Sequence, residues 1–242
     1  MRSIFMTAEW RKLVIFNYAV DPEILKPYLS YGTELDLWRG KCYVSLVGFR
    51  FIKVKLKGVY VPFHTNFEEI NLRFYVRYKE NNEWKRGVTF ISEIVPRALI
   101  TLVANKIYSE KYLTLPTRHQ WKIADETVDA GYEFKFRNEW NELKVSASSA
   151  LTEMEGGGEE EFITEHYWGY TKITNNVTSQ YQVEHPRWQT YPVKDYKVNV
   201  RFAELYGSAF GFLRDRVPDS VMLAEGSPIT VRGADRIRAK IL

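Results

Sequence analysis

Residues 62–97 read PFHTNFEEINLRFYVRYKENNEWKRGVTFISEIVPR, and this stretch decides the fold class. Its first run alternates with the period of a strand. Phe67, Glu69, Asn71, Arg73, Tyr75 and Arg77 share one face, while Glu68, Ile70, Leu72, Phe74, Val76 and Tyr78 share the other. One face is therefore charged and the other mainly apolar. A second run, Gly87 to Val95, is rich in β-branched and aromatic residues and stops at Pro96, which has no N–H for a sheet ladder. Glu80-Asn81-Asn82-Glu83 between them reads as a hairpin tip.

The same grammar extends outward in both directions. Trp10 to Val20 alternates as a strand, Asp21-Pro22-Glu23 starts a short helix to about Leu29, and Cys42 to Leu56 is a long strand closed by Gly58. After Pro96 the period changes: Ala98, Leu99, Leu102, Val103, Lys106 and Ile107 recur at helical spacing and predict a helix of three to four turns. Tyr132 to Trp140 and Leu143 to Leu151 predict a further hairpin, turning near Asn138 to Asn141. Gly156-Gly157-Gly158 breaks the chain, and Glu159, Glu160 and Glu161 suit the positive N-terminal end of a short helix. Val177 to Val183, Tyr196 to Phe202 and Ser220 to Ile229 read as strands, with a helical or mixed piece from Ala203 to Leu213. Many strands with few helices predict a mainly β, α+β architecture: an antiparallel barrel with a central cavity and a few flanking helices, formed by residues 1–242 as a single domain.

Composition narrows the function classes. Apolar residues make up 45% and charged residues 26%, the proportions of a folded globular chain, while 16 Tyr, 14 Phe and 7 Trp supply aromatic walls for strands and pockets. The net charge of +4 comes from 34 basic and 30 acidic residues that are interspersed, so nucleic-acid binding is not expected. No apolar run reaches a membrane span and the N-terminal segment lacks the pattern of a signal peptide, which predicts a cytoplasmic protein. The lone Cys42 excludes an intramolecular disulfide and reads as a buried, inert thiol.

Chemical motifs are sparse. The histidines at 64, 119, 166 and 185 lack metal-site spacing, so neither a metal nor a cofactor is expected. Gly156-Gly157-Gly158 lacks the ending of a phosphate loop, and Gly207-Ser208-Ala209-Phe210-Gly211 has alanine where a nucleophile elbow needs serine. The tail from Arg232 to Lys240 has no interleaved aromatics and reads as a solvated edge. What remains is Glu69, Arg73, Glu93 and Arg97, with His64 beside them. Two readings stand: an ion-pair network enclosed in a lumen, with Arg97 at a strand-to-helix junction, or an ordinary solvated strand face.

Five strings occur in the order that is found in a known family: Asn17-Tyr18-x-Val20-Asp21-Pro22-Glu23-x-Leu25, Gly32-Thr33-Glu34-Leu35-Asp36, Tyr43 to Phe49, Asn71 to Arg77, and His185-Pro186-Arg187-Trp188. By these the chain resembles the YqjF-like family of uncharacterised bacterial proteins, within the acetoacetate-decarboxylase-like superfamily. The resemblance implies a β-barrel or cone with an internal cavity, and it leaves room for a homo-oligomer. In the decarboxylases a lysine after Gly-x-Pro forms a Schiff base with a keto acid. The similar stretch here is Glu93-Ile94-Val95-Pro96-Arg97-Ala98, with arginine in the nucleophile's place. A guanidinium stays protonated and binds anions rather than attacking carbonyls. Phe67-Glu68-Glu69 resembles the segment that supplies a pocket carboxylate, which favours Glu69 over Glu68.

Taken together, these readings predict a pocket for a small anionic or carbonyl-containing molecule, held by Arg97 and Arg73 with Glu69, Glu93 and His64 around it. An enzyme that recruits another lysine, Lys106 or Lys53, and a non-catalytic oligomeric scaffold are the alternatives.

Overall fold

The computed structural model describes residues 2–107 and 110–239. The long strand β1 (Ile4–Val20) runs through helix α1 (Pro22–Leu25) into β2 (Thr33–Leu35) and β3 (Cys42–Leu56). The short β4 (Val59–Tyr60) precedes the hairpin of β5 (Phe67–Glu80) and β6 (Glu83–Val95). Asn81 and Asn82 sit at φ 49° and 69°, the pair of left-handed residues that a tight hairpin between right-twisted strands requires. Helix α2 (Ala98–Ile107) leads to β7 (Tyr112–Thr114), and then β8 (Thr117–Ile123), β9 (Thr127–Phe136) and β10 (Glu139–Ser148) form a meander. The β9–β10 turn uses Arg137 and Asn138, both at positive φ, slightly before the expected 138–141.

The second half begins with β11 (Thr152–Glu153) and helix α3 (Glu159–Thr164), followed by the hairpin β12 (Trp168–Thr174) and β13 (Val177–Glu184). Strands β14 (Gln189–Tyr191) and β15 (Val193–Asn199), helix α4 (Phe202–Tyr206), and strands β16 (Ser220–Arg232) and β17 (Asp235–Arg238) complete the order. The tail read as a solvated edge instead pairs with β13 through β17 and buries Ile237. Lys240 lies outside the described residues.

Hydrogen bonding joins β16-β1-β3-β5-β6-β12-β13, and β13 pairs again with β16, so this path closes into a ring. Its pairing is mixed, not purely antiparallel as alternation suggested. β12 runs parallel to β6, with Trp168 opposite Gly87, and β7 runs parallel to β6, with Glu93 opposite Tyr112. The α2 crossover returns the chain to the same end of the sheet, which is what a parallel neighbour needs. Alternation reports a strand's two faces and says nothing of its neighbour's direction. Gly87 is required for this contact, because a Cβ there would stand 2.3 Å from the Trp168 carbonyl oxygen.

A separate four-stranded sheet, β15-β10-β9-β8, covers part of the outer side of the ring. There Phe16, Leu46, Leu72 and Phe74 join one buried cluster with Tyr132, Phe134, Leu143 and Val145. Gly48 allows the approach, since its Cβ would meet Leu143 and Tyr132 at 2.8 and 2.9 Å. A second cluster gathers the alternate residues, including Ile15, Val47, Phe49 and Tyr75, with Phe162 and Ile163 of α3. Thus both faces of β5 are buried. The apolar face packs between sheets, and the charged face is enclosed by the ring rather than solvated, while Arg97, which the enclosed network included, is exposed. Among the described residues no helix is long and apolar enough to cross a membrane.

Candidate functional site

The charged face of β5 lines a cavity of about 230 Å³. Glu69 and Arg73 reach it from β5 by simple alternation. Glu93 and Phe90 also line it, although they are an odd number of residues apart on β6. A break in register explains this: Asn71 pairs with Glu93 and Leu72 with Ser92, but Arg73 pairs with Phe90. The extra residue, Ile91, turns into the opposite cluster. The bulge puts both Glu93 and Phe90 on the inner side.

Carboxyl groups dominate the polar part of the cavity. Glu69 accepts hydrogen bonds from Asn71 Nδ2 at 3.0 Å and from the Tyr112 hydroxyl at 2.9 Å. Burial pushes its carboxyl up to about 7, against those donors and the opposing pull of Arg73. Glu93 is 1% exposed and is pushed well above the usual carboxylate range, first by burial and then by the charges of Glu110 and Glu69. Glu110, just before β7, rises to about 7 by burial, opposed by the nearby Thr171 and Tyr181 hydroxyls and further raised by Glu69. Glu93 Oε2 and Glu110 Oε1 are buried without a hydrogen-bond partner. Tyr112 lies within hydrogen-bond reach of Glu69 and Glu93, and Glu93 of Glu110, so the three carboxyls form one connected wall.

Arg73 is the only lysine or arginine among the described residues lining the cavity. It is 8% exposed, its Nε has no partner, and one terminal nitrogen donates to the Ile163 carbonyl at 3.5 Å. His166, after α3, supplies a different polar group. Burial lowers it to about 4, so the imidazole is neutral near pH 7. Its Nε2 donates to Asp36 at 3.1 Å, Asp36 is held in turn by Arg86 at 2.6 Å, and Nδ1 is left without a partner. The rest of the lining is mostly apolar and aromatic. His185 stacks on Trp188 with ring centres 4.3 Å apart and Trp10 packs against both. Leu99 of α2 lines the cavity while 47% exposed, so the cavity reaches solvent beside that helix.

Of the residues singled out from sequence, the fold brings Glu69, Arg73, Glu93 and His64 to the cavity. His64 sits in the segment after β4, with Nδ1 against the Pro62 carbonyl at 2.7 Å. Arg97 is not brought there: it follows Pro96, precedes α2 and is exposed, outside the lining. Lys106 and Lys53 are exposed as well, and Lys53 pairs with Glu9. The buried Lys12 pairs with Glu225 and Tyr191 away from the cavity. No lysine lines the cavity among the described residues, and no group of three or more His, Cys, Asp or Glu is arranged there to hold a metal ion.

Glu110, Tyr112, His166 and Tyr181 are cavity residues that the sequence reading passed over. Glu110 and Tyr112 share a parity in the short extended run after α2, which is the signal that was available for them. His166 and Tyr181 carried no pattern of their own.

The DUF2071 family model, described as an uncharacterized conserved protein, matches residues 7–228. The uncharacterized protein YqjF of Bacillus subtilis is 26% identical over 188 residues, covering 76% of this chain and 74% of that protein. Among solved structures, acetoacetate decarboxylase from Legionella pneumophila superposes with a TM-score of 0.65 at 13% identity, covering 98% of this chain and 89% of that one. The enduracididine biosynthesis enzyme MppR, complexed with the condensation product of pyruvate and imidazole 4-carboxaldehyde, also gives 0.65 at 12% identity, covering 98% and 90%. At these identities the likeness to both structures is one of fold.

Proposed function

The chain belongs to the DUF2071 family, whose model spans most of it, and from that premise we propose that its cavity binds a small, largely apolar organic molecule carrying a carbonyl or carboxylate group. The ring is read as a barrel, its lumen as the cavity, and the chain as a single domain; the cluster that joins the two sheets supports the last point. The carrying observation is Arg73. A guanidinium buried among aromatic walls, with its Nε–H unengaged, costs stability unless an acceptor reaches it. A ligand oxygen is that acceptor, and it gains from a charge-assisted bond in a site where water competes little.

The acetoacetate decarboxylase neighbour and the pyruvate-derived ligand of MppR make carbonyl compounds the natural class to test. Glu69, Glu93 and Glu110, with carboxyls shifted towards neutrality, suit hydrogen bonding to a carbonyl or moving a proton near pH 7. An imine route has no support among the described lining residues, because none is a lysine. The test is titration calorimetry with small carboxylates and keto acids. Binding that weakens about tenfold or more in Arg73→Gln, with the variant's near-UV circular dichroism unchanged, agrees with the reading. Unchanged affinity in that variant rejects it.

A further inference from the structure

The charges of the cavity do not balance around an anion alone. Its described lining carries three glutamates and a single guanidinium, with the neutral His166 and with His64 and His185 elsewhere on the wall. Glu69 is provided for: Asn71 and Tyr112 donate to it and Arg73 opposes its charge. Glu93 and Glu110 are provided for only in part. They come from β6 and from the start of the β7 segment, which pair in parallel, and each is at least nine-tenths buried with one carboxyl oxygen lacking any partner. Neighbouring buried carboxyls of like charge require either shared protons or a cation between them. Among the described residues only hydroxyl donors face them, namely Tyr112 of β7, Thr171 of β12 and Tyr181 of β13. Lys111 acts on Glu110 at longer range from an exposed position.

We propose that the Glu93–Glu110 pair is a subsite for a cationic nitrogen, so that the ligand carries a protonated amine together with the oxygen group that faces Arg73. This rests on the small-molecule reading of the cavity and narrows its substrate class to amino compounds with an apolar body. The unpartnered oxygens of Glu93 and Glu110 become acceptors for the ammonium N–H groups. Phe90, Tyr112 and Tyr181 line the same cavity, and aromatic faces attract cations in desolvated sites. A cavity of about 230 Å³ suits a compound of the size of a branched-chain amino acid. Binding then exchanges charge for charge: the ammonium enters, the carboxyl pair releases its proton to the buffer, and no covalent bond changes.

The experiment uses L-leucine, isoamylamine and isocaproate, which carry the amine and the carboxylate together or singly on nearly the same apolar body. Calorimetry is run at about pH 6 and about pH 8 in buffers of different ionisation enthalpy. The expected result is that leucine and isoamylamine bind more tightly at the higher pH and release about one proton per ligand. Glu110→Gln should weaken both by about tenfold and leave isocaproate unchanged. The carboxamide keeps the side chain's shape and removes a buried charge, so folding is retained; Glu93→Gln provides a second, independent variant. If isocaproate binds as tightly as leucine, if binding takes up a proton, or if both variants keep their affinity for the amines, the subsite is rejected while the Arg73 reading stands. If none of the three binds the wild-type protein, both are rejected.

Discussion

Glu68 and Glu69 are consecutive on β5, yet burial has opposite consequences for them. Glu68 faces the four-stranded sheet, where Thr117 donates to it at 2.7 Å and His119 Nδ1 lies 2.5 Å away. Burial alone would raise its carboxyl, but these partners outweigh burial and hold it down at about 2. Glu69 faces the cavity, has donors of comparable number, and is nonetheless raised to about 7 because it is more deeply enclosed. The seam between the sheets is therefore a solved electrostatic problem, and the cavity is an open one. Structural sites satisfy their buried charges internally; the inner wall of the ring leaves charges for something else to satisfy.

The largest expected effect tests whether the seam is packed and the cavity hollow. Phe74→Ala, on the Glu68 side and fully buried, should cost roughly 3–5 kcal/mol in urea unfolding. Phe90→Ala, half-buried on the cavity side, should cost less than about half of that, because part of its surface already borders empty space. Equal losses would mean that the cavity closes in solution.

Glutamate substitutions come next. Glu68→Gln should destabilise by roughly 1–3 kcal/mol, since His119 and Thr117 lose a charged acceptor. Glu93→Gln should be neutral or stabilising at about pH 8, because it replaces a buried carboxyl that has no cationic partner of its own. A loss in Glu93→Gln as large as in Glu68→Gln would make the acidic wall structural.

The smallest effect is one of slope. For Glu69 and Glu110 the folded carboxyls are raised from 4.5 to about 7, so the folded state holds more protons than the unfolded one between those values. Their contribution is complete below about 4.5 and is lost as pH rises through about 7. His166, lowered from 6.5 to about 4, acts in the other direction and stops contributing a slope above about 6.5. Glu68 also acts oppositely, its contribution being lost as pH falls from 4.5 towards about 2. The melting temperature should thus decline by a few degrees between about pH 6.5 and pH 8. Differential scanning calorimetry of Glu110→Gln should show a shallower decline, and an unchanged slope would remove Glu110 from the account.

Much of the frame was legible from local chemistry. The Asn81-Asn82 turn, the alternation of β5, the periodicity of α2 and the acidic start of α3 each follow from a few neighbouring residues. The convergence of Glu69 with Arg73 followed as well, because two residues four apart in a strand must share a face. Glu93 converges for a reason that alternation lacks, the bulge at Ile91. Arg97 was placed with them by its position after Pro96, but the chain leaves the sheet there and the side chain turns to solvent. Glu110 and His166 reach the cavity from segments far along the chain; parity with Tyr112 was the one local signal for Glu110, and His166 had none.

By itself the sequence determined the mainly β character, the family, and which face of β5 carries charge. Each depends on short-range patterns that a strand cannot avoid. Only the tertiary structure decided that the charged face turns inward, that β6 gains parallel neighbours, and that three carboxyls meet one guanidinium. Those outcomes depend on strand order, on one bulge and on ring closure between β13 and β16, which arise from contacts between residues distant in the chain.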